Sequence, residues 1–230
     1  MSQAAPEILV YPTREALAAG LAGRLADRLR QRVEQTGRAR IAVPGGTTPG
    51  PMLSRLGAAG LPWQAVTVTL TDERRVPTSD PRSNRRLLGE TLLAGRAAAA
   101  TFVPLYDGGA EPGESLAATA AALERLALPL DLAVLGLGTD LHTASLFPGA
   151  PGLEAALAPD APAAVATVQP GSGEPRITLP ARVLAAAGER HILIAGADKR
   201  AALERAVSIG DPRAAPVCAL LDGALVHFAE

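Results

Sequence analysis

Arg40-Ile41-Ala42-Val43-Pro44-Gly45-Gly46-Thr47-Thr48-Pro49 joins an apolar, β-branched run to a glycine pair and then to the start of a helical pattern. Such a short apolar run reads as a strand of a mainly parallel sheet, and the glycines behind it let backbone N–H groups approach a ligand closely. The same alternation extends in both directions and defines an α/β class with a mainly parallel sheet flanked by helices. Strands are predicted at Ile8 to Tyr11, Arg40 to Val43, Val66 to Leu70, Phe102 to Leu105 and Leu130 to Leu135. Four more are predicted at Ala164 to Val168, His191 to Ala195, Val217 to Leu220 and Val226 to Phe228.

Between them, Thr13 to Gln35 carries Leu17, Leu21, Leu25, Leu29 and Val33 at helical spacing, with Thr13 as a candidate N-cap. Further helices are predicted at Thr48 to Ala58, Ser83 to Ala94, Gly113 to Leu126 and Asp198 to Ser208, and a short one from Pro180 to Ala187 that Gly188 ends. The Pro-, Gly- and Ala-rich stretch from Pro148 to Pro175 reads as irregular structure within a single domain spanning residues 1–230.

The chain has 230 residues, 48% hydrophobic and 20% charged, enough apolar mass for a full core, which excludes disorder. A formal net charge of -1 leaves no overall footprint for nucleic acid or an anionic membrane, so any anion must be bound locally. Every apolar run is interrupted before it reaches the roughly 20 residues of a membrane span. Met1 to Val10 lacks a basic region followed by a long apolar stretch, so no leader is predicted and a cytoplasmic location is expected. Cys218, the single cysteine, excludes an intramolecular disulfide and suits a reducing compartment. Lys199 is the single lysine, all other basic residues being arginines; it is either a position that requires an ammonium group or an ordinary surface lysine.

Four strand ends carry the residues suited to chemistry. Pro44 to Pro49 is either a plain strand-to-helix turn or an anion cradle, with glycine N–H groups, threonine hydroxyls and a helix N-terminus, though it lacks the spacing of a nucleotide P-loop. Thr71-Asp72-Glu73-Arg74-Arg75-Val76-Pro77, followed by Ser83-Asn84, is either a solvated salt-bridge cluster or part of a site at the carboxyl edge of the sheet.

The third segment, Leu135-Gly136-Leu137-Gly138-Thr139-Asp140-Leu141-His142-Thr143-Ala144-Ser145-Leu146-Phe147-Pro148, lacks the third glycine of a dinucleotide fingerprint, so no nicotinamide is implied. His142 lies in a polar loop suited to proton transfer, and Asp140 could orient its ring or bind a hydroxyl, whereas His191 and His227 fall within apolar strands and read as structural. Ser145 has no nucleophile elbow around it, and the histidines and the cysteine show no metal-ligand spacing. In the fourth segment, Ile194 to Arg200, Lys199 opposes the dipole at the start of a helix, which suits an anion ligand better than a stabilising charge.

These segments together resemble the 6-phosphogluconolactonase family, whose patterns are S-G-G-[ST]-[ST]-P, D-E-R-x-V-P followed by S-N, G-x-G-x-D-G-H-[TI]-A-S-L-F-P, and G-x-x-K. Here they read Pro44 to Pro49, Asp72 to Pro77 with Ser83-Asn84, Gly136 to Pro148, and Gly196 to Lys199. The resemblance implies a modified Rossmann-type fold similar to ribose-5-phosphate isomerase and CoA-transferase domains. It also implies hydrolysis of 6-phospho-D-glucono-1,5-lactone to 6-phosphogluconate without metal or organic cofactor. The implied partner is a small-molecule sugar-phosphate lactone, with no nucleic acid and no membrane, and the implied assembly is a monomer or weak homo-oligomer.

By the same resemblance His142 is the general base and Asp140 its companion. Gly45, Gly46, Thr47 and Thr48, with Arg74, Arg176 and Lys199, would bind the phosphate, while Asp72, Asn84 and Asp140 would contact sugar hydroxyls or position His142. The oxyanion donors are not identified. Two positions depart from the family. Pro44 replaces serine, losing an N–H and a hydroxyl. Leu141 replaces glycine, which would cost about 1 kcal/mol if that position requires a positive φ. Two other readings share the motifs. In glucosamine-6-phosphate deaminases the corresponding loop ends in a glutamate that helps open the sugar ring, and Phe147 stands in its place here. A non-catalytic sugar-phosphate sensor would keep the cradle without turnover.

Overall fold

The computed structural model of the chain describes residues 6–106, 112–125 and 128–230. β1 (Glu7–Val10) leads to α1 (Arg14–Thr36), β2 (Ala39–Val43), α2 (Gly50–Gly57), β3 (Val66–Leu70) and β4 (Asp72–Arg74). Then come α3 (Asn84–Glu90), β5 (Thr101–Val103), α4 (Pro112–Arg125), β6 (Leu132–Gly136), α5 (Leu153–Leu157), β7 (Val165–Val168) and β8 (Pro175–Thr178). α6 (Ala181–Ala185), β9 (Glu189–Ala195), α7 (Ala197–Ile209), α8 (Cys218–Leu221) and β10 (Leu225–Ala229) follow.

Seven strands form one sheet in the order β1-β10-β9-β6-β2-β3-β5, and each neighbouring pair is parallel. β2 is buried along its whole length, as expected of a strand covered by helices on both faces. α1 covers the sheet with Leu17, Leu21, Leu25 and Leu29, each nearly inaccessible to solvent and each contributing about 2 kcal/mol of apolar burial. The Thr13 hydroxyl accepts from Ala16 N at 3.0 Å to start that helix, and Gly37 ends it at φ 76°.

The structure adds a second sheet that local sequence did not reveal. β4, β8 and β7 pair antiparallel in that order, and β4 follows directly on β3 after a single residue, Thr71. Thr71 N donates to Val43 O and its carbonyl accepts from Leu179 N, both at 2.9 Å, so this residue serves both sheets. Asp72-Glu73-Arg74 has low strand propensity, and only its pairing with β8 makes it one.

The strand predicted at Val217 to Leu220 is helical instead, as α8. A buried apolar run of four residues fits either state. The sheet has no place for it, because β9 and β10 are already direct neighbours. Pro148 to Pro175 is less irregular than expected, since it holds α5 as well as β7. The helix predicted from Ser83 to Ala94 stops at Glu90, the one from Thr48 begins at Gly50, and Leu126 lies outside the described residues. Among the described residues no helix is long and apolar enough to cross a membrane.

Candidate active site

An open cleft of about 320 Å³ lies at the carboxyl ends of the central strands. The loops after β2, β6 and β9 form its floor, and the small sheet forms one wall. This is where open α/β sheets bind ligands. The glycine loop contributes Gly45, Gly46, Thr47 and Thr48, and the small sheet and the start of α3 contribute Asp72, Arg74, Arg176 and Asn84. His142 and Lys199 complete the set of predicted residues lining it; Asp140 stands behind His142 rather than in the lining.

The imidazole is held by its own loop. His142 Nδ1 lies 2.5 Å from Asp140 Oδ1, so Nδ1–H donates to the carboxylate and Nε2 is left as the basic nitrogen. That bond holds the Asp140 carboxyl below the usual carboxylate range. Gly138 makes room for the pair: a Cβ there would lie 2.1 Å from His142 Nδ1 and 2.2 Å from Asp140 Oδ1. Gly138 N also donates to His142 O at 2.8 Å, closing the loop. Leu141 does occupy the left-handed region, at φ 73°, and Ala144 does so at 48°, so His142 sits between two strained positions. The Leu141 side chain packs into the main core, which opposes the strain.

Ser145 is fully buried, and its Oγ donates to Asp72 Oδ2 at 2.6 Å. It therefore ties the histidine loop to β4 and does not face the cleft. Thr71 Oγ1 donates to the other Asp72 oxygen at 3.1 Å, and Asn84 Nδ2 donates to the Asp72 carbonyl at 2.8 Å. Asn84 Oδ1 has no hydrogen-bond partner among the described residues, although it is buried against Gly45, where a Cβ would approach it to 1.9 Å. Gly45 is thus required by a close approach, and Gly46, at φ 96°, by its backbone conformation.

Glu73 was not singled out by the sequence analysis, and it is not part of a solvated salt bridge. Its buried carboxylate accepts from Arg74 N, Asn84 N and Arg85 N at 2.7, 2.8 and 2.7 Å and from Ser83 Oγ at 3.2 Å. Burial pushes its pKa up, and the three backbone donors oppose that shift. Glu73 thereby fixes β4 to the start of α3, the two elements that carry Arg74 and Asn84 into the cleft.

Arg74 and Arg176 are directly opposed across the β4–β8 pair. Two like charges in register destabilise a sheet. Arg176 is buried, and burial followed by the neighbouring Arg74 charge holds its pKa below the usual arginine value. The Glu174 carboxylate at 2.7 Å and the Gln169 side-chain oxygen take up Arg176 Nη2, but the Nε atoms of both arginines are buried without a hydrogen-bond partner among the described residues. Both arginines line the cleft, where an anion would offset their opposed charges. Gln169 also lines the cleft, and the sequence offered no signal for it because the β7–β8 hairpin that carries it was not recognised. Lys199 enters from the first turn of α7, and the same helix sends Arg205 Nη2 to the Thr139 carbonyl at 2.6 Å, tying it to the histidine loop.

The other two histidines are structural, as expected. His191 and His227 are fully buried on β9 and β10, with His191 Nδ1 3.1 Å from His227 Nε2 and His227 Nδ1 2.9 Å from the Tyr11 hydroxyl. The Cys218 thiol is buried and donates to the Ala206 carbonyl at 3.0 Å.

Comparison with known proteins agrees with this geometry. The family model described as glucosamine-6-phosphate isomerases/6-phosphogluconolactonase matches residues 12–227. A protein of Mesorhizobium japonicum named 6-phosphogluconolactonase is 46% identical over 215 residues, covering 93% of this chain and 90% of the relative. The one from Rhizobium meliloti is 44% identical, covering 92% of both chains. The crystal structure of a 6-phosphogluconolactonase from Shewanella baltica superposes with a TM-score of 0.95 at 30% identity over 100% of each chain. A match that spans nearly the whole sequence, together with the same arrangement of strands and loops, establishes that the chain belongs to the glucosamine-6-phosphate isomerase/6-phosphogluconolactonase family.

Proposed function

We propose that this chain hydrolyses 6-phospho-D-glucono-1,5-lactone to 6-phospho-D-gluconate, with His142 as the general base that activates water and with no covalent intermediate. The observation that carries the reading is the Asp140-held imidazole, which shares one cleft with a cross-strand arginine pair whose buried Nε groups lack partners among the described residues. Arg74, Arg176 and Lys199 hold the phosphate together with Gly45, Gly46, Thr47 and Thr48, and Asp72 and Asn84 take sugar hydroxyls. Phosphate binding far from the reacting carbon then orients C1 of the lactone at His142.

The His142 Nε2 takes a proton from water as its oxygen bonds to C1. The resulting tetrahedral species expels the ring oxygen, which receives that proton as the C5 hydroxyl. The product is a carboxylic acid that ionises in water, so the balance needs only the lactone and one water. Ser145 is a poor nucleophile because it is buried and its hydroxyl proton is committed to Asp72. Phe147 in place of the deaminases' glutamate favours the lactone over an amino sugar. A reducing cytoplasmic setting fits a chain with one buried cysteine.

The test is the initial rate of loss of freshly prepared lactone, measured against a buffer blank because δ-lactones hydrolyse unaided. Wild-type protein is expected to accelerate the loss and His142→Ala to fall close to the blank. Wild-type protein no faster than buffer would overturn the reading and direct attention to deaminase activity or to sugar-phosphate sensing.

A further inference from the structure

Among the described residues the His142 ring has one hydrogen-bonding restraint, and the partner, Asp140, has a side chain 56% exposed to solvent. A second restraint comes from Phe147, five residues on. The two rings lie 4.6 Å apart between centroids with their planes inclined by 41°. Phe147 is itself only 3% exposed, so its own orientation is set by the protein around it. The guanidinium carbon of Arg176 lies 5.8 Å from the same ring's centroid, near the outer limit of a cation–π contact. One aromatic ring thus lies beside both the imidazole and an arginine of the cleft lining.

We propose that Phe147 is a positioning residue for the reaction: its ring forms a flat, immobile wall that fixes the His142 imidazole plane and so aims Nε2 at the lactone carbon. This deepens the lactonase reading and rests on it. An aspartate bond at Nδ1 fixes one point of the ring but leaves rotation about that point, and a neighbouring ring surface removes the rotation. Arg176 depends on Phe147 less, because Glu174 and Gln169 hold its guanidinium whether or not the ring is present. Loss of the ring should therefore act on turnover more than on substrate affinity.

Phe147→Leu keeps most of the side-chain volume and removes the flat face. Its kcat is expected to fall about tenfold, since misaimed catalytic groups are costly, while KM changes less than about twofold. Phe147→Tyr, which restores the ring, is expected to recover most of kcat. In the ligand-free protein the His142 ring-proton resonances should shift in Phe147→Leu through loss of the aromatic ring current and stay near their wild-type positions in Phe147→Tyr. Phe147→Met serves as the second aliphatic variant if Phe147→Leu does not unfold cooperatively. A kcat within twofold of wild type in a folded aliphatic variant, or a rise in KM at unchanged kcat, would overturn the proposal while leaving the lactonase reading intact. Wild-type protein that fails to accelerate lactone loss would overturn both.

Discussion

Asp140→Asn isolates the contribution of charge to the base. The asparagine oxygen can still accept from His142 Nδ1–H, so the geometry at 2.5 Å is kept and only the negative charge is lost. Two unit charges about 4 Å apart near a protein surface interact by about 4 kcal/mol. Because the Asp140 side chain is more than half exposed, solvent screening reduces this to about 1 kcal/mol. That energy stabilises the imidazolium formed as water is deprotonated, so its loss should lower kcat about fivefold. In serine proteases the same replacement behind the catalytic histidine costs more, of order ten-thousandfold, because it also leaves the imidazole in the wrong tautomer. The assay is the steady-state rate of lactone loss, corrected for the blank, at saturating substrate. A kcat within threefold of wild type would refute the view that the Asp140 charge supports the base.

Three other expectations follow from particular residues. Leu141→Ala removes a buried side chain while leaving φ at 73°, and should cost about 3 kcal/mol; Leu141→Gly loses the same packing but releases about 1 kcal/mol of backbone strain. The glycine variant should therefore be the more stable by chemical denaturation, and the opposite order would refute the strain. Arg176→Leu should raise KM about tenfold or more with little loss of stability, because it removes both a phosphate ligand and a desolvated like charge opposite Arg74; a large drop in melting temperature at unchanged KM would contradict that.

Burial holds His191 at about 3, with the neighbouring His227 adding to the shift, and burial holds His227 at about 4. Both are neutral in the fold, whereas the unfolded chain binds protons below about pH 6.5. Stability should thus be complete above that pH and fall by roughly 1.4 kcal/mol per pH unit for each histidine as pH drops toward 4. Urea midpoints that stay constant from pH 7 to pH 4.5 would show that the pair does not titrate this way.

Much of this protein is legible from local sequence because its main sheet is built from short contiguous signals. Ile41 to Val43 and Ile192 to Ile194 are apolar runs, Val66 to Leu70 is rich in β-branched residues, and such segments are buried wherever helices cover both sheet faces. The site residues were legible for a related reason. A parallel sheet places the loops that follow its strands at one edge, so Gly45, His142 and Lys199 had to emerge at the same edge once their strands were identified.

Tertiary structure alone decided the small sheet and what it does for the site. Asp72-Glu73-Arg74 is a strand only because Thr178, Ile177 and Arg176 lie opposite it, more than a hundred residues away. That pairing sets Arg74 against Arg176, and the sheet places Asp72 beneath Ser145. Val217 to Leu220 was misread for the converse reason, since an apolar run shows only that it is buried and leaves its backbone state to the space available. Local sequence determines which segments must leave water and which turns can be made. The partners of a charged group are set by long-range pairing, because a buried carboxylate or guanidinium takes its energy from whichever donor, acceptor or opposing charge the fold brings within about 3 Å.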